Sequence, residues 1–261
     1  MLFKNPKPRI LLILCTSFTY LLLYLPIIVL LVFSFNSEAF PSPWKHFSLE
    51  WYKELWHASH LWQAFCNSFL IALGATSCSL LLCIFFLFHL AQGGKVKHCI
   101  SLYYGNIVIP ETVLAIALLG FFTLLSIPLG LLTLVFAHTI LGLGFAIPIL
   151  YAKYLDLDPR LTEASLDLGA TPFQTFCSIT LPLLKKVLIA TGLLIFIISF
   201  DDVILAYFCA GSASQTLSLY ILSMLRTGIC PVVNALSAIL FLLSNVFALL
   251  FFSIQTRSKV F

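Results

Sequence analysis

Charged side chains are scarce in this sequence. Of its 261 residues only 9% are Asp, Glu, Lys or Arg, while 61% are hydrophobic and the mean hydropathy is +1.07. A soluble domain carries about a quarter of its residues as charged side chains, which cover its surface. The composition therefore excludes an ordinary soluble protein and predicts an integral membrane protein.

Motifs for catalysis and for binding metals or nucleotides are also missing. The eight cysteines show no zinc-like spacing, and no hydrolytic triad or metal cluster stands out. Gly93-Gly94-Lys95 is not a phosphate loop, because it lacks the spaced glycines and the Ser or Thr after the lysine. The sequence predicts no metal, no cofactor, no enzyme activity and no nucleic-acid partner. Cys209 and Cys230 share one predicted outer loop and could form a disulfide.

Apolar runs long enough to cross a bilayer core of about 30 Å dominate the chain. A cleaved signal peptide is the alternative interpretation of the first run. It is disfavoured because the run is too long for a signal peptide and lacks a cleavage site. The sequence thus predicts an all-α protein with six transmembrane helices. The predicted spans are residues 10–33, 64–90, 102–125, 131–151, 187–208 and 235–254.

The positive charges are distributed unevenly between the two sides of these spans. Eleven of the 14 Lys and Arg residues fall on the side of both termini. Cytoplasmic loops carry an excess of Lys and Arg, so we expect both termini in the cytoplasm. The same rule places the loop of residues 152–186 in the cytoplasm and residues 38–60 and 212–231 outside. The eleven residues are Lys4, Lys7, Arg9, Lys95, Lys97, Lys153, Arg160, Lys185, Lys186, Arg257 and Lys259.

The cytoplasmic loop has the signals of two capped helices. Asp158 is a good N-cap, and Pro159 suits the first helical position. Gly169 can end that helix in a left-handed conformation. Thr171 and Gln174 have the spacing of a capping box that starts another helix. The pattern predicts a helix, a glycine turn and a second helix.

Residues 163–182, which we call the EAA segment, resemble the EAA loop of ABC importer permeases. That pattern is Glu-Ala-Ala, three residues, Gly, nine residues, Ile, one residue, Leu-Pro. Ser165 replaces the second alanine and keeps the position small. An amphipathic surface loop, the alternative interpretation, predicts no such spacing. The resemblance implies that seven residues couple the chain to a separate ATPase: Glu163, Ala164, Ser165, Gly169, Ile179, Leu181 and Pro182.

Three carboxylates fall inside the predicted spans, namely Glu111 and the adjacent Asp201 and Asp202. An intramembrane carboxylate is unfavourable by roughly 2.5–3.5 kcal/mol on insertion scales and seldom faces lipid. We expect these three residues to line a substrate pathway. The alternative is that they cap a helix break or are buried in neutral form.

Trp51 and Tyr52 lie in the aromatic segment between the first two spans, where they could offer cation–π contacts to a substrate near the outer mouth. His138 stands alone on an apolar span. Such a histidine is more often packed or hydrogen-bonded than a ligand, so it is left out of the predicted site.

The resemblance extends over nearly the whole chain to the spermidine/putrescine-type importer permeases, specifically to their second inner-membrane subunit. It implies a type I ABC importer permease fold in the bacterial inner membrane and a substrate pathway for polyamines. The implied partners are a sister permease, a cytoplasmic ATPase dimer and an extracytoplasmic substrate-binding protein. The stretches that carry it, besides the EAA segment, are Pro110-Glu111 and residues 33–37, 51–52, 199–202, 218–224, 228, 231 and 234–236.

Other functions remain open at this point. An ABC importer for another cationic solute or a metal complex, such as a ferric one, would need similar features. An ion-driven secondary transporter could use Asp201 and Asp202 as its ion site, but the EAA pattern and the lack of a detectable inverted repeat disfavour it. A membrane enzyme lacks a catalytic constellation.

Overall fold

A computed structural model describes residues 6–38, 42–94, 100, 103–105, 108–211, 214–227 and 231–258. Lys95 and Lys97 of the predicted basic turn lie outside the described residues, as does Cys230, the predicted partner of Cys209. Cys209 itself is a buried free thiol. Within the described ranges the regular structure is helical, apart from one isolated antiparallel bridge between Asn36 and Phe47. The predicted all-α class is confirmed.

Four of the helices are long and apolar enough to cross a membrane: α1, α3, α5 and α7. Helix α4, with 14 residues, is shorter than a span, whereas α10 has 28 residues. The predicted count of six spans is therefore not reproduced in full. The helices are α1 (Pro6–Phe33), α2 (Glu50–His57), α3 (Ser59–Ala91), α4 (Glu111–Leu124), α5 (Leu131–Leu155), α6 (Pro159–Asp167), α7 (Pro172–Asp201), α8 (Ile204–Cys209), α9 (Leu217–Thr227) and α10 (Pro231–Ser258).

Helix α4 is shorter than the predicted span of residues 102–125. It has 14 residues, which correspond to about 21 Å. Pro110 occupies its N-cap position with an extended ψ of 134°. Proline has no N–H and disfavours helical backbone in the residue before it, so the helix starts only at Glu111.

Helix α7 differs from the predicted span of residues 187–208 at both ends. It begins 15 residues earlier, at Pro172, and ends at Asp201. Lys185 and Lys186 do not interrupt it, because both are exposed on its surface. A π-helical turn, Phe176–Thr180, ends two positions before Pro182 and widens the helix where proline cannot donate a hydrogen bond. The result is a continuous helix of 30 residues, about 45 Å long.

The described residues form two compact units, and His60–Tyr220 make up one of them. One hydrophobic cluster of this unit joins α3, α4, α5 and α8 around Ile71, Leu118 and Leu134. A second cluster joins α3, α5 and α7 around Ile147 and Leu184. These clusters fix the helices that carry the intramembrane carboxylates.

The other unit contains α1, α2 and α10. Its loop after α1 is held by Asn36, which is fully buried and accepts a hydrogen bond from the Lys45 amide at 3.0 Å. At the exposed rim of this loop, the Lys45 ammonium lies 2.6 Å from the Glu38 carboxylate and lowers the pKa of Glu38. The described side chains of α1 are mostly exposed in the single chain.

Gly142 allows the close approach of three helices, and this generates a stability prediction. A Cβ atom at Gly142 would contact Ser79 Oγ of α3 and lie 2.9 Å from Ile195 Cγ2 of α7. We expect Gly142→Val to destabilise the protein by about 1–3 kcal/mol through overpacking. Thermal unfolding of the purified protein in detergent measures this loss.

The matched control is Gly120→Val, because a Cβ at Gly120 meets nothing within 4 Å. An unfolding midpoint for Gly142→Val that equals that of the control would contradict the proposed helix packing.

Candidate functional site

The local signals of the EAA segment and its flanks are confirmed. The Asp158 side chain caps α6 by accepting a hydrogen bond from the Arg160 amide at 3.0 Å. Gly169 has a φ of +88°, the left-handed conformation expected for the turn. Thr171 and Gln174 form both hydrogen bonds of the capping box, at 2.8 and 3.3 Å. These short-range interactions fix a helix, a glycine turn and the start of α7.

The EAA segment has an exposed face next to a contact that holds α6 against α7. The Ser165 hydroxyl lies 2.9 Å from the hydroxyl of Thr175, which is buried, and this contact ties α6 to α7. Glu163 and Ala164 are exposed on α6, while Leu168 and Phe173 leave 89% and 62% of their surfaces exposed. Large exposed apolar side chains next to small residues form a surface suited to a partner protein. The remaining EAA residues, Ile179, Leu181 and Pro182, lie within α7.

A break in the helical chain separates α7 from α8, and Asp202 lies at the break. Its backbone is extended, with a ψ of 132°, so the chain leaves the helix there. Its carboxylate accepts hydrogen bonds from the amides of Ile204 at 3.2 Å and Ala206 at 3.1 Å, which caps α8. The Ser218 hydroxyl donates to the Asp202 carbonyl oxygen at 2.5 Å. Asp202 is therefore held by three hydrogen bonds and only 3% of its side chain is exposed.

Glu111 joins Asp202 to form the acidic part of the site. The two carboxyl groups lie close enough to interact electrostatically, although 91 positions separate them in the sequence. Glu111 is half-buried in the first turn of α4, where the positive end of the helix dipole favours an acidic group. It also lines a cavity of about 220 Å³, whose other walls are Ile109, Leu114, Leu141, Gly144, Phe145 and Ile198. Among the described residues no Lys or Arg forms an ion pair with either carboxylate.

Asp201 has a different environment from its neighbour. It is exposed at the end of α7, and its side chain has no hydrogen bond or ion pair within the described part of the chain. The chain leaves the helix at Asp202, whose backbone is extended, so the side chains of the two residues point in different directions. The structure thus brings Glu111 and Asp202 together and leaves Asp201 outside this pair.

His138 belongs to the same cluster, although the sequence analysis left it out. Its imidazole is 1% exposed, and Nδ1 lies 3.1 Å from the Ser199 hydroxyl. Its Nε2 lies 3.6 Å from Asp202 Oδ2. The sequence signal was present, since an ionisable residue inside a span marks a functional site by default. What the sequence did not reveal was the partner, because His138 and Asp202 lie on different helices.

Trp51 and Tyr52 lie on α2 in the other unit. The Trp51 indole N–H donates to the Asn36 carbonyl oxygen at 2.7 Å, and the Tyr52 hydroxyl lies 2.8 Å from Ser34 Oγ. The Tyr52 ring also stacks on Phe35, with the ring centroids 5.2 Å apart. Both side chains therefore support their own loop, and their predicted contact with a substrate stays a prediction.

Comparison with a solved structure defines the fold. The chain superimposes on a bacterial ABC transporter involved in the import of the acidic polysaccharide alginate with a TM-score of 0.70. The match covers 98% of this chain and 99% of that chain, at 14% sequence identity. Together with the long apolar helices, this similarity shows the fold of a multi-pass ABC transporter permease, as predicted.

Curated relatives define the family. The chain is 37% identical over 230 residues to the spermidine/putrescine transport system permease protein PotC of Escherichia coli K12, covering 87% of each chain. It is 34% identical over 228 residues to PotC of Haemophilus influenzae, covering 86% of this chain and 88% of the relative. The putrescine transport system permease protein PotI of E. coli K12 is 30% identical over 243 residues, covering 90% of this chain and 86% of the relative. No protein-family model matches the chain. The chain belongs to the family of spermidine/putrescine transport system permease proteins, and the predicted resemblance is confirmed.

The different environments of Asp201 and Asp202 generate a prediction. We expect Asp202→Ala to lower the unfolding midpoint of the protein, because the buried amides of Ile204 and Ala206 lose their acceptor. An unpaired buried donor is unfavourable by about 1–3 kcal/mol. The control Asp201→Ala removes an exposed carboxylate and should leave the midpoint within experimental error.

Thermal unfolding in detergent provides the measurement for both variants. Equal midpoints for Asp202→Ala and wild type would show that the Asp202 carboxylate does not stabilise the break between α7 and α8.

Proposed function

We propose that this chain is one permease subunit of an ATP-driven polyamine importer and forms half of its translocation pathway. The observation that carries the proposal is the Glu111 carboxylate on the wall of a cavity, with the buried carboxylate of Asp202 as an electrostatic neighbour and with no Lys or Arg in an ion pair with either group among the described residues. Spermidine and putrescine, which the relatives are named for, carry ammonium groups that such an acidic site attracts.

Within this site Glu111 is the carboxylate that meets the substrate. Glu111 lines the cavity, whereas the carboxylate of Asp202 is buried and already accepts two backbone hydrogen bonds. A unit charge pair 4 Å apart is worth about 4 kcal/mol at an effective dielectric constant of 20. That attraction offsets part of the free energy of removing water from an ammonium group. Transport also requires release, so the carboxylates serve as a transient relay and the selective site lies on the external binding protein.

The EAA segment couples this pathway to ATP hydrolysis by a partner subunit. Helix α6 docks in a groove of the ATPase, with Glu163 paired to a basic residue and with Ala164, Ser165 and Gly169 allowing close approach. Helix α7 starts within the EAA segment and ends at the break next to Asp202, so one continuous helix connects the docking surface to the carboxylates. A displacement of α6 is passed to α7 through the contact between Ser165 and Thr175.

The proposed complex contains a sister permease, two cytoplasmic ATPase subunits and an extracytoplasmic substrate-binding protein. The uneven distribution of Lys and Arg supports cytoplasmic termini in the bacterial inner membrane. The exposed apolar surface of α1 supports contact with lipid or with the sister permease. Trp51 and Tyr52 are proposed to offer cation–π contacts where the substrate enters.

A second candidate substrate is another cationic solute or a metal complex, because the same acidic pair would attract it. Competition in the uptake assay separates these possibilities. Inhibition of spermidine uptake by putrescine but not by a ferric complex supports the polyamine assignment.

The substrate pathway is tested by spermidine uptake into vesicles that contain the whole complex. We expect Glu111→Gln to lower the maximal uptake rate about tenfold or more, since it removes the accessible charge. Asp201→Asn tests the exposed carboxylate, and Asp202→Asn tests the buried one.

Each variant is first checked for assembly with its partners. Wild-type uptake rates in all three assembled variants would mean that the carboxylates have only a structural role, and this would contradict the proposed pathway.

The coupling role is tested at Gly169, whose φ of +88° strongly disfavours most side chains. We expect Gly169→Trp to abolish the stimulation of ATP hydrolysis by substrate-loaded binding protein, because it disturbs the turn and blocks close docking. Gly169→Asn is the matched control, since asparagine tolerates a left-handed conformation and should retain much of the stimulation.

The measurement is ATPase co-purification followed by the hydrolysis rate in membranes. Full stimulation in Gly169→Trp would contradict docking through the EAA segment.

A further inference from the structure

His138 has a fixed orientation in the core of its unit. Ser199 Oγ lies 3.1 Å from Nδ1, and only 1% of His138 is exposed. When Ser199 donates to Nδ1, the neutral ring carries its proton on Nε2. The N–H at Nε2 then faces Asp202 Oδ2 at 3.6 Å.

Nε2 is one of the buried polar atoms that have no hydrogen-bond partner among the described residues. Its distance to Asp202 exceeds a normal N–H···O hydrogen bond by about 0.6 Å. A donor held this close to a buried acceptor without reaching it indicates an arrangement that can tighten. A small movement of Asp202 or of the ring would satisfy both groups.

The neighbouring Glu111 provides a reason for such a movement. Glu111 interacts electrostatically with Asp202 and lines the cavity. A cation in the cavity would draw Glu111 toward itself and would also attract the carboxylate of Asp202. If Asp202 followed the cation, the amides of Ile204 and Ala206 would lose their acceptor and the start of α8 would loosen.

We propose that His138 is a positioning residue, which holds Asp202 at the break between α7 and α8 while a substrate cation engages Glu111. The Nε2–H of His138 closes on Asp202 as Glu111 turns to the substrate, so the cap of α8 stays in place. His138 does not touch the substrate and acts only through Asp202. This inference rests on the proposed polyamine pathway.

The test uses two substitutions that each keep one of the two nitrogen positions. His138→Gln retains an N–H donor near the position of Nε2, which can reach Asp202. His138→Asn places its N–H donor near the position of Nδ1, so Asp202 loses this donor. We expect His138→Asn to lower the maximal spermidine uptake rate about tenfold, the size of a lost hydrogen bond to a charged group. His138→Gln should restore most of that rate. The concentration of loaded binding protein that gives half-maximal uptake should be unchanged in both variants.

The matched control is Thr191→Val on α7. Thr191 Oγ1 is also buried without a hydrogen-bond partner among the described residues, and valine has nearly the same shape. We expect wild-type uptake from this variant. A rate as low as that of His138→Asn would mean that loss of any buried polar group impairs the protein, and it would overturn the positioning role.

Equal uptake rates for His138→Asn, His138→Gln and wild type would likewise overturn the positioning role of His138. If His138→Asn fails to assemble, Ser199→Ala decides the question, because it removes the bond that orients the ring. A lowered maximal rate in Ser199→Ala supports the inference, and an unchanged rate overturns it. Absence of spermidine uptake by the wild-type complex would instead contradict the proposed function itself.

Discussion

The carboxylate of Asp202 is the hydrogen-bond acceptor at the break between α7 and α8, and the fold of the unit His60–Tyr220 depends on it. A helix that begins inside a membrane leaves its first backbone N–H groups without partners, and no lipid group can replace them. Asp202 accepts hydrogen bonds from two of these groups, those of Ile204 and Ala206. The same side chain has Glu111 and His138 as neighbours, so the break and the acidic site are one structural feature.

This arrangement gives the two intramembrane carboxylates different roles. Asp202 is occupied by backbone groups and stabilises the fold, while Glu111 lines the cavity and is available to a cation. The EAA segment connects to this site through α7, which continues past Pro182 because a π-helical turn accommodates the proline. A helix that is hydrogen-bonded along its length can pass a displacement from one end to the other. Family membership, helix continuity and the position of Glu111 thus support one account of coupled cation transport.

The features that were predicted from the sequence are those with local causes. Asp158, Gly169 and the pair of Thr171 and Gln174 act within three residues of their own positions, so their patterns could be interpreted directly. The break after Asp201 entered the sequence analysis only as the alternative that the carboxylates cap a helix break, because no proline or glycine lies next to it. Its cause is tertiary, since Glu111, Asp202 and Ser218 meet there from distant parts of the chain. His138 was missed for the same reason. The capping box predicted a helix start at Pro172, but the continuity of this helix with the span predicted over residues 187–208 was not predicted, because Lys185 and Lys186 suggested a membrane boundary.

The central claim is that a substrate cation passes through the cavity beside Glu111 while Asp202 remains the cap of α8. Electron cryomicroscopy of the whole complex tests it most directly, with spermidine bound and with a partner ATPase that binds but cannot hydrolyse ATP. The account predicts an ammonium nitrogen about 3 Å from the Glu111 carboxylate, with the Asp202 bonds to Ile204 and Ala206 intact. Density for spermidine along a path that does not contact Glu111, with this cavity empty, would contradict the account.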